Sequence, residues 1–198
     1  NGLAPLEPGE TDTVIIAGMG GDLICKILKA KPEFLIEGKE FILQPQSEWF
    51  KVRRLLKEYR YQIEKEWFLK EDGKYYVIIK AEPTWTQPQR LKHQQPSIHE
   101  YIKEISETPA NQAVSEKDME SIYEQYGKYL IETKNPVLKE YLEKEIVKKE
   151  SIAADLKLSI KEMESEELSG KERGNIAKRQ RRYQEIQKEI RDMRKAIG

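Results

Sequence analysis

The stretch TVIIAGMGGDLICKIL, residues 13–28, decides the fold. Its first five residues, Thr13 to Ala17, form a short β-branched apolar run bounded by Asp12 and a glycine turn, the signature of a buried strand. From Asp22 onward Leu23, Ile24, Ile27 and Leu28 repeat at helical spacing, and Pro32 sets the stop. Strand, turn and helix in this order build parallel α/β sheets, and the turn lies at the carboxyl ends of the strands, where such sheets bind ligands. Gly18, Gly20 and Gly21 around Met19 either let a ligand approach the backbone closely or make a tight turn with close helix–sheet packing.

Reading outward, a second strand runs from Glu40 to Gln44 and ends at Pro45. Ser47 is expected to cap a helix through Tyr59 that carries Phe50, Val52, Leu55 and Leu56. Gln44 reaches the same sheet edge as the glycines, so its amide either faces their crevice or belongs to the loop that caps the next helix. Two further strands, Gln62 to Leu69 and Lys74 to Ala81, flank Asp72-Gly73, a hairpin signal. Pro83, Pro88 and Pro96, with Gln87, Gln89, Gln94 and Gln95, then break all periodicity. The expected organisation is an α/β domain over 1–85, a linker with connecting helices over 86–134, and an antiparallel coiled-coil hairpin over 135–198. Ser115 with Asp118 and Asn135-Pro136 read as helix starts. Leu142, Ile146, Ala153, Leu156, Ile160 and Met163 mark one seam of the hairpin, and Ser169-Gly170 turns the chain. Ile176, Tyr183, Ile186, Ile190, Met193 and Ile197 mark the returning seam.

The 198 residues carry 35 basic and 35 acidic side chains, but the balance is local. Residues 135–170 hold 6 basic and 9 acidic groups, whereas 171–198 hold 10 and 4, a net of about +6 on the last helix. Its densest cluster is Lys178, Arg179, Arg181 and Arg182. Those charges either bind RNA phosphates or neutralise the acidic helix before them. Cys25, set among Leu23, Ile24, Ile27 and Leu28, reads as a packed thiol. His93 and His99 lack any metal-ligand spacing, so no metal is expected. No run approaches the roughly 20 apolar residues of a membrane span, and no leader precedes the first strand, which sets a soluble cytoplasmic protein as the expectation. The sequence opens on Asn1 rather than Met, within a loop, and further chain is expected upstream.

Four blocks in order carry a family resemblance: VIIAGMGGDLICKIL; FILQPQ, with Val52-Arg53 seven residues beyond Pro45; EDGKYYVII; and YGKYLIETKNPVLKEYLEKEI. They resemble the bacterial tRNA (adenine-22-N1)-methyltransferase family, which joins an AdoMet-dependent Rossmann-like domain to a C-terminal coiled coil. The resemblance implies the C-terminal half of that domain, S-adenosyl-L-methionine as cofactor and tRNA as partner. It places Gly18, Met19, Gly20 and Gly21 beside the methyl donor and the incoming base, and matches Asn1-Gly2-Leu3 to a loop near the cofactor. Gln44 becomes a substrate contact, and the catalytic proton acceptor stays unassigned. Gln46 stands where the family pattern has Asn. The glycine-bearing first turn and the acidic residue that hold most of AdoMet in this class are not among these residues. A non-catalytic coiled-coil module that binds RNA or protein on a degenerate scaffold is the alternative. A nicotinamide-dependent oxidoreductase is disfavoured, because no GxGxxG with a downstream acidic residue occurs.

Overall fold

The computed structural model describes residues 2–7, 9–84, 114–164 and 170–198, the side chains of 114–117, 164 and 170–173 excepted. The chain divides into two compact units, Asn1–Thr133 and Lys134–Gly198. In the first, β1 (Thr13–Met19) leads through α1 (Gly21–Ala30) and α2 (Pro32–Ile36) to β2 (Glu40–Pro45). Then come α3 (Trp49–Glu58), β3 (Tyr61–Glu71) and β4 (Lys74–Pro83). The strands form one mixed sheet in the order β1-β2-β4-β3. β1 and β2 are parallel, as a helical crossover requires, and β4 is antiparallel to both of its neighbours. Asp72 (φ 47°) and Gly73 (φ 76°) both take positive φ, which matches the type I′ turn that joins tightly twisted hairpin strands.

Alternate residues give the sheet two unlike faces. Val14, Ile16, Phe41, Leu43, Val77, Ile79 and Phe68 are buried together with Ile24 and Leu28 of α1, Phe34 and Leu35 of α2, and Val52, Leu55 and Leu56 of α3. Each such side chain contributes about 1.5–3 kcal/mol by leaving water. The opposite face carries Ile15, Ile42, Trp67 and Ile78, and Ile15 is 67% exposed. The reading of Thr13 to Ala17 as a fully buried strand is therefore corrected. Among the described residues β1 lies at the edge of the sheet and buries one face. Two helix starts also differ from expectation. Pro32 ends α1 but occupies the first turn of α2, where its missing N–H costs nothing. α3 is preceded by Glu48 in the left-handed region (φ 53°), with no side-chain cap from Ser47.

Beyond the undescribed stretch, α4 (Val114–Tyr126) and α5 (Lys128–Glu132) complete the first unit, hinged at Gly127. Helix α4 begins at Val114, so Ser115 lies inside its first turn. The second unit is α6 (Pro136–Glu164) and α7 (Gly170–Ile197). Asn135 caps α6, its Oδ1 accepting the N–H groups of Val137 and Leu138, both at 3.0 Å. Contacts of Glu150 with Arg194, Lys149 with Glu189 and Ser159 with Arg179 make the pair antiparallel. Leu142, Ile146 and Ala153 are buried in the seam with Ile176, Ile186, Ile190 and Met193. Tyr183, Leu156, Ile160 and Met163 are half-buried. The architecture is α/β, the C-terminal half of a Rossmann-like domain, followed by an antiparallel coiled coil.

Candidate active site

The carboxyl ends of β1 and β2 meet in a zipper of backbone and side-chain hydrogen bonds. The β1–β2 register slips between Ala17 and Met19, leaving Gly18 as a bulge at φ 77°. The Gly18 N–H donates to Gln44 Oε1 (2.7 Å). The Gln46 N–H donates to the Met19 carbonyl (2.8 Å), and the Gly21 N–H to the Ser47 carbonyl (2.9 Å). A fourth rung runs from the Asp22 N–H to Glu48 Oε2 (3.3 Å). Lys51 then bridges the two loops, with Nζ 2.9 Å from Asp22 and 2.7 Å from Glu48. Hydrogen bonds from Lys26 and Lys51 hold the Asp22 carboxyl at about 2, well below its ordinary range. At least two N–H groups of the first turn of α1, which in many α/β proteins receive an anion, are engaged by the chain itself.

The glycines separate into two kinds. A side chain at Gly21 would place Cβ 2.6 Å from the Glu48 carbonyl oxygen and 2.7 Å from that of Ser47, so the α1 and α3 loops approach only because it has none. Gly2 is similar, with φ 61° and an imagined Cβ 2.9 Å from Ile27 Cγ2. Gly18 is the reverse: its φ favours glycine, yet a Cβ would meet nothing within 4 Å. Gly20 takes an ordinary extended conformation (φ −63°, ψ 147°), and its Cβ would meet only side-chain atoms, Ser47 Oγ at 3.1 Å and Glu48 Oε2 at 3.9 Å. Gly18, Met19 and Gly20 thus lie along the open side of the turn, Gly21 holds it in place, and Gly2 packs against Ile27 of α1. Asn1 lies outside the described residues.

Gln44 bonds the glycine turn and does not cap α3. Its Oε1 is spent on Gly18, while its Nε2 is buried and has no hydrogen-bond partner among the described residues. A buried donor without a partner costs free energy unless something supplies an acceptor. Cys25 is half-buried and burial pushes its thiol up, as expected of a packing residue. Among the described residues no group of three potential metal ligands occurs, and no helix is long and apolar enough to cross a membrane. His93 and His99 lie outside the described residues.

A second polar cluster was not read from the sequence as a site. Arg53 of α3 and Glu66 of β3 are 4% and 2% exposed, and Arg53 Nε donates to Glu66 Oε1 at 2.7 Å. Arg53 Nη1 also donates to the carbonyls of Glu124 and Gln125 (3.1 and 2.9 Å), closing the C-terminal end of α4. Gly127, at φ 92°, passes over the pair so closely that a Cβ would lie 2.4 Å from Glu66 Oε2. Burial pushes the Glu66 carboxyl up while Arg53 pulls against that shift. The sequence signal was a charged residue at a core-facing position on each element, Arg53 beside Val52 and Leu55, and Glu66 two residues before Phe68. In the other unit, Arg179 hydrogen-bonds Ser159 Oγ and Arg182 pairs with Glu185 and Glu189 at 3.2 and 3.3 Å. Lys178 and Arg181 are exposed.

An open sheet with a glycine bulge at the ends of adjacent parallel strands has the fold of the Rossmann-like class, in which ligands bind at that edge. The family model TrmK, tRNA (adenine(22)-N(1))-methyltransferase, matches residues 1–108. The chain belongs to that family. The tRNA (adenine(22)-N(1))-methyltransferase of Bacillus subtilis (strain 168) is 42% identical over 82 residues, 41% of this chain and 34% of that protein. The chain spans about a third of the length of the curated relatives it matches. The solved Bacillus subtilis tRNA methyltransferase TrmK is similar with a TM-score of 0.62 at 23% identity, covering 100% of this chain and 68% of that one. TrmK of M. capricolum, solved with S-adenosyl-homocysteine, gives 0.58 at 20% identity, over 100% and 66%. These structural likenesses carry the fold.

Proposed function

We propose that the protein carrying this chain transfers a methyl group from S-adenosyl-L-methionine to N1 of an adenine in tRNA, at position 22 as in the family. The observation that supports this reading is the Gln44 amide bonded to the glycine bulge, its Nε2 buried and without a partner among the described residues, in a chain of this family. Bound AdoMet supplies an electrophilic methyl group. Adenine N1 is unprotonated at neutral pH and attacks directly, so the protein's task is to expose the base edge and align it, with no covalent nucleophile. Gly18, Met19 and Gly20 form one wall for cofactor and base, with Gly21 fixing that wall and Gly2 packed against Ile27 of α1. Because Oε1 is occupied, Gln44 offers only a donor, which suits an acceptor nitrogen of the base other than N1 and leaves N1 free to react. Lys178, Arg179, Arg181 and Arg182 lie on the helix that meets the tRNA, and such an enzyme works in the cytoplasm. The zipper leaves the glycine bulge open rather than collapsed, which favours an enzyme over a degenerate scaffold.

The test is methylation of an unmodified tRNA transcript by the full-length protein, read as N1-methyladenosine by nucleoside mass spectrometry. Gln44→Ala removes both the bond to the Gly18 N–H and the donor to the base and is expected to lower kcat/KM by about 10- to 100-fold. Absence of N1-methyladenosine with the intact protein overturns the reading.

A further inference from the structure

Among the described residues four that are not glycine take positive φ: Glu48, Arg60, Asp72 and Lys134. Three sit where such a backbone is ordinary. Arg60 and Lys134 follow the ends of α3 and α5, and Asp72 opens the hairpin turn. Glu48 (φ 53°, ψ 40°) instead precedes a helix, just beyond the carboxyl end of β2. Glycine adopts that conformation freely, whereas glutamate is strained in it.

Stability does not account for the glutamate. Its ion pair with Lys51 joins side chains 38% and 37% exposed, and exposed pairs of this kind contribute little. Its bond from the Asp22 N–H is long, at 3.3 Å. The two contacts aim the carboxylate. Oε1 is taken by Lys51 at 2.7 Å, while Oε2 keeps a lone pair beyond the one that meets the Asp22 N–H. Oε2 lies 3.9 Å from the place a Gly20 Cβ would take, so it borders the open side of the turn along Gly18, Met19 and Gly20. The Lys51 ammonium, with the Asp22 N–H, holds the carboxyl below its ordinary range, which keeps it an acceptor at neutral pH. Lys51 and Lys26 balance Glu48 and Asp22 in charge, so the group acts by contact rather than through a long-range field.

The chemistry of the base supplies a partner for that lone pair. When adenine N1 takes a methyl group, its lone pair becomes the new N–C bond and the old C–S pair returns to sulfur. The positive charge passes from sulfur to the purine, and no proton leaves in the step. The exocyclic amine beside N1 then becomes a more acidic, charge-assisted donor. We infer that Glu48 is a catalytic residue whose Oε2 accepts a hydrogen bond from the exocyclic amine of the target adenine, a bond that strengthens as N1 is methylated. The inference rests on the methyl-transfer reading above and adds a base-selecting contact to it. A contact stronger in the transition state than in the ground state raises kcat. It also selects adenine, because guanine carries a carbonyl oxygen in place of the amine and would set two acceptors against each other.

The experiment uses the full-length protein with Glu48→Gly and Glu48→Gln, and two ligated tRNAs. One has adenosine at the target position, the other purine riboside, which keeps N1 and lacks the amine. Single-turnover rates at saturating AdoMet and tRNA report the methyl-transfer step. On adenosine, Glu48→Gly is expected to be about 10- to 100-fold slower than wild type, with Glu48→Gln between them because a neutral amide oxygen is the weaker acceptor. On purine riboside, wild type and Glu48→Gly should agree within about twofold. The Tm of Glu48→Gly should equal or exceed that of wild type, since glycine relieves the positive φ, and its Kd for AdoMet by calorimetry should not change. If Glu48→Gly fails to fold, Glu48→Gln carries the same comparison. Equal rates on adenosine overturn the inference, as does a loss of the same size on both tRNAs, which marks a structural role. A wild-type protein that methylates adenine N1 beside an equally fast Glu48→Gly overturns the contact alone. A wild-type protein that leaves N1 unmethylated overturns the enzyme reading and the contact with it.

Discussion

Gly21→Ala tests whether the glycine turn is shaped by packing at one position and left open for a ligand at another. The new Cβ would sit 2.6 and 2.7 Å from two backbone carbonyl oxygens, atoms that cannot rotate away, so the α1 and α3 loops must part by several tenths of an ångström. Overpacking of this kind costs about 1–3 kcal/mol. Weakening of the Gly21 N–H bond to the Ser47 carbonyl adds about 1 kcal/mol. Alanine's better helix propensity returns up to about 1 kcal/mol. The net expectation is a loss of about 1–3 kcal/mol and a fall in Tm of about 4–12 °C. Gly18→Asn is the control, since its site is open and Asn tolerates positive φ, and it should stay within about 1 kcal/mol of wild type. Urea unfolding followed by tryptophan fluorescence reports on this unit alone, because Trp49, Trp67 and Trp85 all fall within it. Wild-type stability in Gly21→Ala, or an equal loss in Gly18→Asn, would refute the division of the glycines into packing and open positions.

Arg53→Met should cost about 3–5 kcal/mol in the same assay, because it strands the Glu66 carboxylate in the core. Adding Glu66→Leu should recover most of that loss, and a double-mutant cycle measures the coupling. Asn135→Ala should lower the thermal stability of the hairpin by about 0.5–2 kcal/mol through loss of the α6 cap, as followed by circular dichroism. The Asp22 carboxyl should titrate near 2 by carbon-detected NMR rather than at its ordinary value of 3.8. Because its folded pKa is depressed, its contribution to stability is fully present above 3.8 and disappears as the pH falls through about 2. In Lys51→Gln the midpoint should move back toward 3.8.

The strand–turn–helix of residues 13–28 and the seams of the hairpin were legible because each is written in the spacing of apolar residues along one element. The place of the β3–β4 hairpin in the sheet was not. Periodicity identifies Lys74 to Ala81 as a strand but is silent on its insertion between β2 and β3, which depends on which faces find cover. The turn was located from Gly18 to Gly21, but glycine looks the same in sequence whether it supplies a positive φ, as at Gly18, or merely makes room, as at Gly21. Arg53 and Glu66 escaped notice because charged residues are read as solvent-facing by default, and only the fold sets them against each other. At Arg179 and Arg182, dense charge concealed that two of four cations already had partners inside the hairpin.

The four rungs between residues 18–22 and 44–48, with Lys51 across the last, have a mechanical consequence. Two loops joined at four of their five residues cannot open or close independently, so this edge of the sheet moves as a plate to which α1 and α3 are both fastened. A ligand that takes up the free Gln44 N–H therefore pulls on Gly18 through the same amide and on both helices behind it. Any give needed to admit a ligand at this edge has to come from outside these two loops.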